Sequence, residues 1–112
     1  MYPAYVLTGA ANEHYRFNLK AGNGQVILTS EAYSSKEAAK HGIESVRVNS
    51  PLNERYERRT AKDGRPYFVL KAVNTQIIGQ SQMYSSAGAM EHGIESVKAN
   101  GPTSPIIDET AD

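Results

Sequence analysis

The chain has 112 residues, which is enough for one ordinary domain with a single core. Its 12 basic and 12 acidic side chains balance, so no overall charge draws it to a phosphate polymer or an anionic membrane. The sequence has no cysteine, which excludes disulfides, thiolate metal sites and cysteine nucleophiles. We find neither a signal peptide nor a run as long as a membrane span. These features predict a cytoplasmic protein.

Strands are predicted in the first thirty residues. Residues 4–8 are a weak candidate for an edge strand. Residues 15–20 alternate large apolar and polar side chains, which is typical of a half-buried strand with its apolar residues inward. The inward residues are Tyr15, Phe17 and Leu19. A β-branched run covers 26–30, and the Gly-Asn-Gly between the two runs predicts a hairpin.

A helix is predicted next, from Ser34 to about Asn49. Ser34 is a natural N-cap, and Glu37 three residues later completes a capping box. Successive residues are 100° apart on a helix, and this places a narrow apolar stripe toward the sheet. The stripe consists of Ala39, Gly42, Ile43 and Val46. A glycine within it suggests close approach of the helix to the sheet, and Pro51 cannot continue the helix.

The whole pattern then repeats. Residues 17–51 align without a gap on 68–102, at an offset of 51, with 20 identities in 35 positions. The second helix keeps the stripe as Met90, Gly93, Ile94 and Val97 and should end near Asn100. Because Thr75 replaces Gly24 in the second hairpin turn, we expect Asn23 and Asn74 to be the left-handed residues.

An α+β fold follows from the repeat. Two tandem β3-α-β units, residues 1–52 and 53–112, are expected to form one compact domain. One antiparallel-rich sheet would carry both helices on one face, with pseudo-twofold symmetry and terminal strands exchanged between units. Residues 56–59 are a second weak candidate for an edge strand. If the stretch around Tyr56 is instead both the exit of the first unit and the entry of the second, it would lie more centrally in the sheet. Since the second unit stands in for a partner chain, we expect a monomer.

The repeated segment resembles a known family. "LKAGNGQVILTSEAYSSKEAAKHGIESVRVNSP" (residues 19–51) and its second copy are similar to the YegP-like family of small bacterial proteins, in the subgroup with a duplicated unit. The resemblance covers residues 4–108. It implies β3-α-β units that join in a single sheet and exchange their terminal strands. That family has no established activity, so the resemblance implies neither catalytic residues nor a cofactor.

The pentapeptide His-Gly-Ile-Glu-Ser occurs in both helices. His41 and Glu44, like His92 and Glu95, are three residues apart and lie on one helix face, a spacing that can support a metal ion or a base and its orienting group. The same helical wheel places all four opposite the buried stripe, which predicts that they face water. A metal-assisted enzyme is therefore the weaker interpretation, and an exposed helix surface is the favoured one.

Residues 55–65, "RYERRTAKDGR", hold five basic and two acidic side chains. Arg55, Arg58 and Arg59 beside Tyr56 could contact phosphates and stack a base, as in proteins that bind single-stranded nucleic acid. Charged residues on a strand can also simply face solvent. We favour a non-enzymatic protein-interaction or accessory module with an unidentified protein partner and no cofactor. An RNA-binding module is the alternative.

Overall fold

A computed structural model describes residues 2–111. Its elements in chain order are β1 (Ala4–Thr8), β2 (Arg16–Lys20), β3 (Val26–Thr29), α1 (Lys36–Asn49), a 3-10 turn (Asn53–Arg55), β4 (Tyr56–Thr60), β5 (Pro66–Lys71), β6 (Ile77–Gln80), α2 (Ala87–Asn100) and β7 (Ile106–Asp108). Within that range, neither helix is long and apolar enough to cross a membrane.

The seven strands form one sheet in the order β4-β5-β6-β3-β2-β1-β7. All pairs are antiparallel except β1 with β7, which is parallel. The strand after α1 lies beside β5 of the second unit, and the strand after α2 lies beside β1 of the first. The units meet at one pair, Thr29 with Gln80, whose members are 51 residues apart, so a pseudo-twofold axis passes between them. The predicted α+β fold with exchanged terminal strands is confirmed.

The two candidate edge strands have different positions in the sheet. β4, around Tyr56, lies at the edge, as its weak strand pattern predicts, and the more central position expected of a shared strand is wrong. β1, which was predicted to be an edge, is covered by β7. The chain between α1 and β5 supplies only one strand, and that strand pairs with β5. Within residues 2–111 no strand covers the outer side of β4, where its repeat mate β1 has β7.

The core lies between the helices and one face of the sheet. Tyr15, Phe17 and Leu19 are buried, as the alternation predicts, and so are the predicted stripes of both helices. Each large apolar side chain removed from water contributes about 1.5–3 kcal/mol. Because burial of these side chains stabilises the fold, the apolar face predicted for each element is the face that packs in the core.

Gly42 and Gly93 are buried because each faces a tyrosine of its own unit. A Cβ on Gly42 would lie 2.3 Å from the Tyr33 hydroxyl, and one on Gly93 would lie 2.1 Å from the Tyr84 hydroxyl. The Tyr33 ring is stacked on the Phe17 ring, with centroids 6.1 Å apart, and the second unit repeats that stack. The close approach is thus between the helix backbone and a ring that is itself stacked on a sheet residue.

The first helix begins one residue later than predicted. The N-cap of α1 is Ser35, whose hydroxyl accepts a hydrogen bond from the Ala38 N–H at 3.0 Å, so a capping box of Ser34 and Glu37 is wrong. Ser86 has the same role in α2. Upstream of the cap, Tyr33 is tied to the sheet, since its N–H donates to the Tyr15 carbonyl at 2.8 Å. The helix ends, at Asn49 and Asn100, agree with the prediction.

The C-terminal ends of the helices meet and are held by two buried tyrosines. The Tyr5 hydroxyl donates to the Gly101 carbonyl at 2.5 Å, and the Tyr56 hydroxyl donates to the Ser50 carbonyl at 2.6 Å. Burial raises the pKa of both phenols. A Cβ on Gly101 would lie 2.3 Å from the Ser50 hydroxyl oxygen, so the two equivalent C-cap residues touch. Each tyrosine therefore stabilises the last turn of one helix.

The left-handed residues of the repeated hairpin turn are Gly24, with φ of 82°, and Thr75, with φ of 70°. The prediction of Asn23 and Asn74 is wrong. Each asparagine instead accepts a hydrogen bond from the N–H two residues later, on Gln25 or on its mate in the second unit. A three-residue hairpin loop places a type I turn first and the left-handed residue after it, which moves that conformation to the position after asparagine.

Replacing Thr75 by glycine is expected to stabilise the protein by about 1 kcal/mol, because a β-branched residue in the left-handed region is strained and glycine is not. Urea unfolding followed by circular dichroism measures the change. The reverse substitution in the first unit, Gly24→Thr, is the matched control and should lower the free energy of unfolding. Equal stability of wild type and Thr75→Gly would show that this turn carries no strain.

Candidate functional site

The repeated histidines and glutamates lie where the helical wheel predicts. His41, Glu44, His92 and Glu95 are all exposed on the outer faces of the helices. Glu44 pairs with Arg47 rather than with His41, and Glu95 pairs with Lys98 at 3.2 Å. The helix surface therefore carries glutamate–cation pairs three residues apart, and not histidine–glutamate pairs.

The two cations connect the helices to the chain segments that cross over them. Arg47 donates to the Ser104 carbonyl at 2.9 Å and lies 5.6 Å above the Tyr5 ring. Lys98 donates to Asn53 Oδ1 at 3.1 Å and lies above the Tyr56 ring. Glu44 and Glu95 thus have a structural role that sequence reasoning missed. The signal was present, since a cation follows each glutamate by three residues in both copies.

The histidines do not converge on a shared site. His41 borders a shallow depression of about 460 Å³ on α1, beside the exposed Val48. His92 borders a separate cavity of about 160 Å³, between α2 and the β2–β3 hairpin. Across residues 2–111, no group of three or more histidine, aspartate or glutamate side chains is placed to hold a metal ion. The arrangement gives neither histidine an orienting carboxylate.

The arginines of the 55–65 segment are engaged by neighbouring side chains. Arg55 donates to Asn49 Oδ1 at 2.9 Å. Arg58 makes two hydrogen bonds to Glu91 of α2, one of them at 2.9 Å, and this pair raises the pKa of the Arg58 guanidinium. Arg59 contacts Glu57 at 2.5 Å. All three arginines therefore have polar hydrogen-bond partners, of which only Glu91 brings a negative charge from outside the segment.

The two faces of β4 divide its charges. Arg58 lies on the helix side, where it reaches α2, while Glu57 and Arg59 lie on the opposite face, as alternation along a strand requires. Glu57 also binds Lys71 of β5, and the hydrogen bonds from Lys71 and Arg59 lower the pKa of its carboxyl. The basic residues do not form a continuous strip on one face.

The outer edge of β4 exposes backbone groups. Phe68, which pairs with Arg58, donates its N–H to the Ser81 hydroxyl at 3.0 Å and accepts at its carbonyl from the Ser81 N–H at 2.9 Å. Both backbone groups of Phe68 thus point toward β6. In an antiparallel pair the facing residue then directs its own N–H and C=O the other way, so those of Arg58 point outward from the sheet.

The repeat mate of this edge shows how such groups can be satisfied. On β1, the Tyr5 N–H donates to the Pro105 carbonyl at 2.8 Å, and the Leu7 carbonyl accepts from the Glu109 N–H at 2.8 Å. On β4, the Asn53 carbonyl accepts from the Tyr56 N–H and takes the place of the first of these bonds. In the described part of the chain, nothing takes the place of the second, at Arg58.

Comparisons with known proteins agree with this architecture. The family model of a domain of unknown function, DUF1508, matches residues 10–57 and again 61–108. A UPF0339 protein of Shewanella oneidensis and the UPF0339 protein YegP of Escherichia coli K12 are each 56% identical to this chain over 106 residues, covering 95% of this chain and 96% of each relative.

Solved structures extend the agreement to three dimensions. The solution NMR structure of YegP from E. coli, described as a protein of unknown function, has a TM-score of 0.90 at 54% identity and covers 97% of this chain and 94% of that chain. A solution NMR structure of a UPF0339 protein from Shewanella oneidensis has the same score, covering 97% of this chain and 92% of that chain. None of these relatives indicates a catalytic family. The chain therefore belongs to the DUF1508 family, with two tandem copies of its domain, alongside the bacterial UPF0339 and YegP proteins.

Proposed function

We propose that this protein is a non-enzymatic interaction module that receives an extended segment of a partner protein along the outer edge of β4. One observation carries the proposal: β7 covers the edge of β1, and no described strand covers the equivalent edge of β4. Residues 1–52 and 53–112 are the proposed halves of one compact, monomeric domain. A cytoplasmic location is part of the proposal, and the lack of cysteine supports it.

Strand addition suits the groups that this edge presents. An extended peptide that joins a sheet edge gains main-chain hydrogen bonds, which give affinity, while its side chains give specificity. The Arg58 N–H and C=O are directed outward and are available for such bonds. Charged residues on an edge also discourage unspecific pairing, and Arg58 and Arg59 have that effect here. The backbone of this edge can thus pair with an added strand, while its charged side chains disfavour most strands.

The other surfaces support the alternatives less well. Nucleic-acid binding through Arg55, Arg58 and Arg59 would need cations aligned along one surface to follow a phosphate backbone, and Arg58 and Arg59 lie on opposite faces of β4. A metal-assisted enzyme would need His41 and Glu44 to act together, and Glu44 is paired with Arg47.

A pair of substitutions at one residue tests the proposal. Arg58→Pro removes the outward N–H without breaking a bond to β5, while Arg58→Ala removes the charge and keeps that N–H. In capture experiments from a bacterial lysate, we expect a partner identified by mass spectrometry to be lost with the proline variant and retained, at reduced yield, with the alanine variant. Hydrogen exchange in the complex should show protection of the Arg58 amide.

Correct folding of both variants must be verified by circular dichroism before the comparison. Capture of the same partner in equal yield by wild type and Arg58→Pro, with no protection of the Arg58 amide, would refute strand addition at β4. The Ala variant separates the contribution of the guanidinium group from that of the backbone.

A further inference from the structure

We infer that the segment received by β4 is acidic and runs parallel to β4, like the chain's own residues 105–111 on β1. The inference rests on the proposed function and adds the chemistry and direction of the occupant. Its starting point is the pseudo-twofold axis, which relates the covered edge of β1 to the open edge of β4. The covered edge therefore serves as a template for the open one.

The template fixes the direction. β7 runs parallel to β1, with Tyr5 beside Ile106 and Leu7 beside Asp108. Its backbone continues past the end of the strand, where the Ala111 N–H donates to the Gly9 carbonyl at 2.7 Å. On β4 the first position is taken by the Asn53 carbonyl. A second parallel segment would thus begin beside Arg58 and continue past Thr60.

The two edges carry different side chains, and those at β4 favour an acidic residue in the added segment. Asp108 of β7 is the register partner of Leu7, which is fully buried. Its carboxylate lies 3.4 Å from the ammonium group of Lys36, the first residue of α1. At β4, the mate of Leu7 is Arg58, and the mate of Lys36 is Ala87. At the second edge, the cation that would contact an acid therefore lies on the strand, at Arg58, and not on the helix.

Arg58 has capacity for that additional partner. Its Nε and Nη2 atoms bond to Glu91, which leaves Nη1 for a second carboxylate. In the turn that follows β4 lies Lys62, whose mate in the first unit is the uncharged Ala11. An acid at the position of Asp108 would lie beside Arg58, and the continuation of the segment past Thr60 would run toward Lys62.

A peptide with the sequence of residues 107–111, acetyl-IDETA-amide, is the probe, because it begins after the position that the Asn53 carbonyl occupies. The control peptide carries Asp108→Asn and Glu109→Gln, which keep the shape and remove both charges. Titration into the ¹⁵N-labelled full chain should shift the amide resonances of Arg58 to Lys62, with a dissociation constant below about 1 mM. The control peptide should bind at least about fivefold more weakly, and the Arg58→Ala variant should reduce binding of the acidic peptide by a similar factor.

A nitroxide at the peptide N-terminus tests direction, since a parallel strand should broaden resonances near Tyr56 and an antiparallel one resonances near Lys62. Equal binding of the two peptides at β4 would overturn the preference for acid and leave strand addition supported. Shifts confined to β1 would mean that the peptide displaces β7, and this result would overturn the inference. The absence of binding by either peptide would overturn it as well. The comparison of Arg58→Pro with Arg58→Ala then decides the proposed function independently.

Discussion

Replacing Gly93 by alanine is expected to lower the free energy of unfolding by about 1–3 kcal/mol, the usual cost of overpacking a core. On an exposed helix the same change is stabilising, since glycine is about 1 kcal/mol less favourable than alanine. Here the new methyl group would lie 2.1 Å from the Tyr84 hydroxyl and 2.7 Å from the ring carbon that bears it. The ring is stacked on Phe68, so it can move only by giving up that contact.

The same helix provides the control for this prediction. Gly88 is exposed in the first turn of α2, and a Cβ there would come no closer than 4.0 Å to a neighbouring atom, the Ser86 hydroxyl oxygen. Gly88→Ala should therefore stabilise the protein by about 0.5–1 kcal/mol. Urea unfolding of both variants gives opposite signs if steric fit decides. Stabilisation by both would show that Tyr84 yields freely.

Replacing Tyr5 or Tyr56 by phenylalanine is expected to destabilise the protein by about 1–3 kcal/mol in each case. Each hydroxyl donates to a C-cap carbonyl, Tyr5 to Gly101 and Tyr56 to Ser50, and phenylalanine would leave that carbonyl without its donor in a buried place. The ring itself would remain, so packing should change little. Thermal and urea unfolding measure the loss.

Tyr33→Phe is the matched control, because that tyrosine is only half-buried and its hydroxyl has no acceptor in residues 2–111. Its stability should stay within about 0.5 kcal/mol of wild type, as for most substitutions away from buried polar contacts. If Tyr5→Phe were as mild as the control, water would have to replace the hydroxyl at the Gly101 carbonyl. The assignment of Tyr5 as a stabilising donor would then be wrong.

Much of the fold was predictable because it depends on local periodicity and on the repeat. Alternation identified the inward face of β2, and the 3.6-residue period identified both helix stripes. The offset of 51 implied two equivalent units before any contact was known. Predictions failed at the ends of elements: Ser35 and not Ser34 caps α1, and the loop geometry makes Thr75 left-handed in place of Asn74.

The candidate site was less accessible from sequence. Exposure of His41 and Glu44 followed from the helical wheel, and the spacing of Glu44 and Arg47 was visible, but the contact of Arg47 with Ser104, 57 residues away, was not. Likewise the basic character of the 55–65 segment could be counted, but not the distribution of its side chains over two faces. Glu91, which pairs with Arg58, is 33 residues away in the chain.

The sequence by itself determined the two repeated units, their strands and helices, and the residues that face the core, because these follow from periodicity and from which side chains leave water. Only the tertiary structure decided which edge is covered. Strand order depends on where each chain segment can reach once the helices have packed, and the single strand between α1 and β5 cannot serve both units. That is why β1 is paired on both sides, while within residues 2–111 no strand pairs with the outer side of β4, where the backbone groups of Arg58 point away from the sheet.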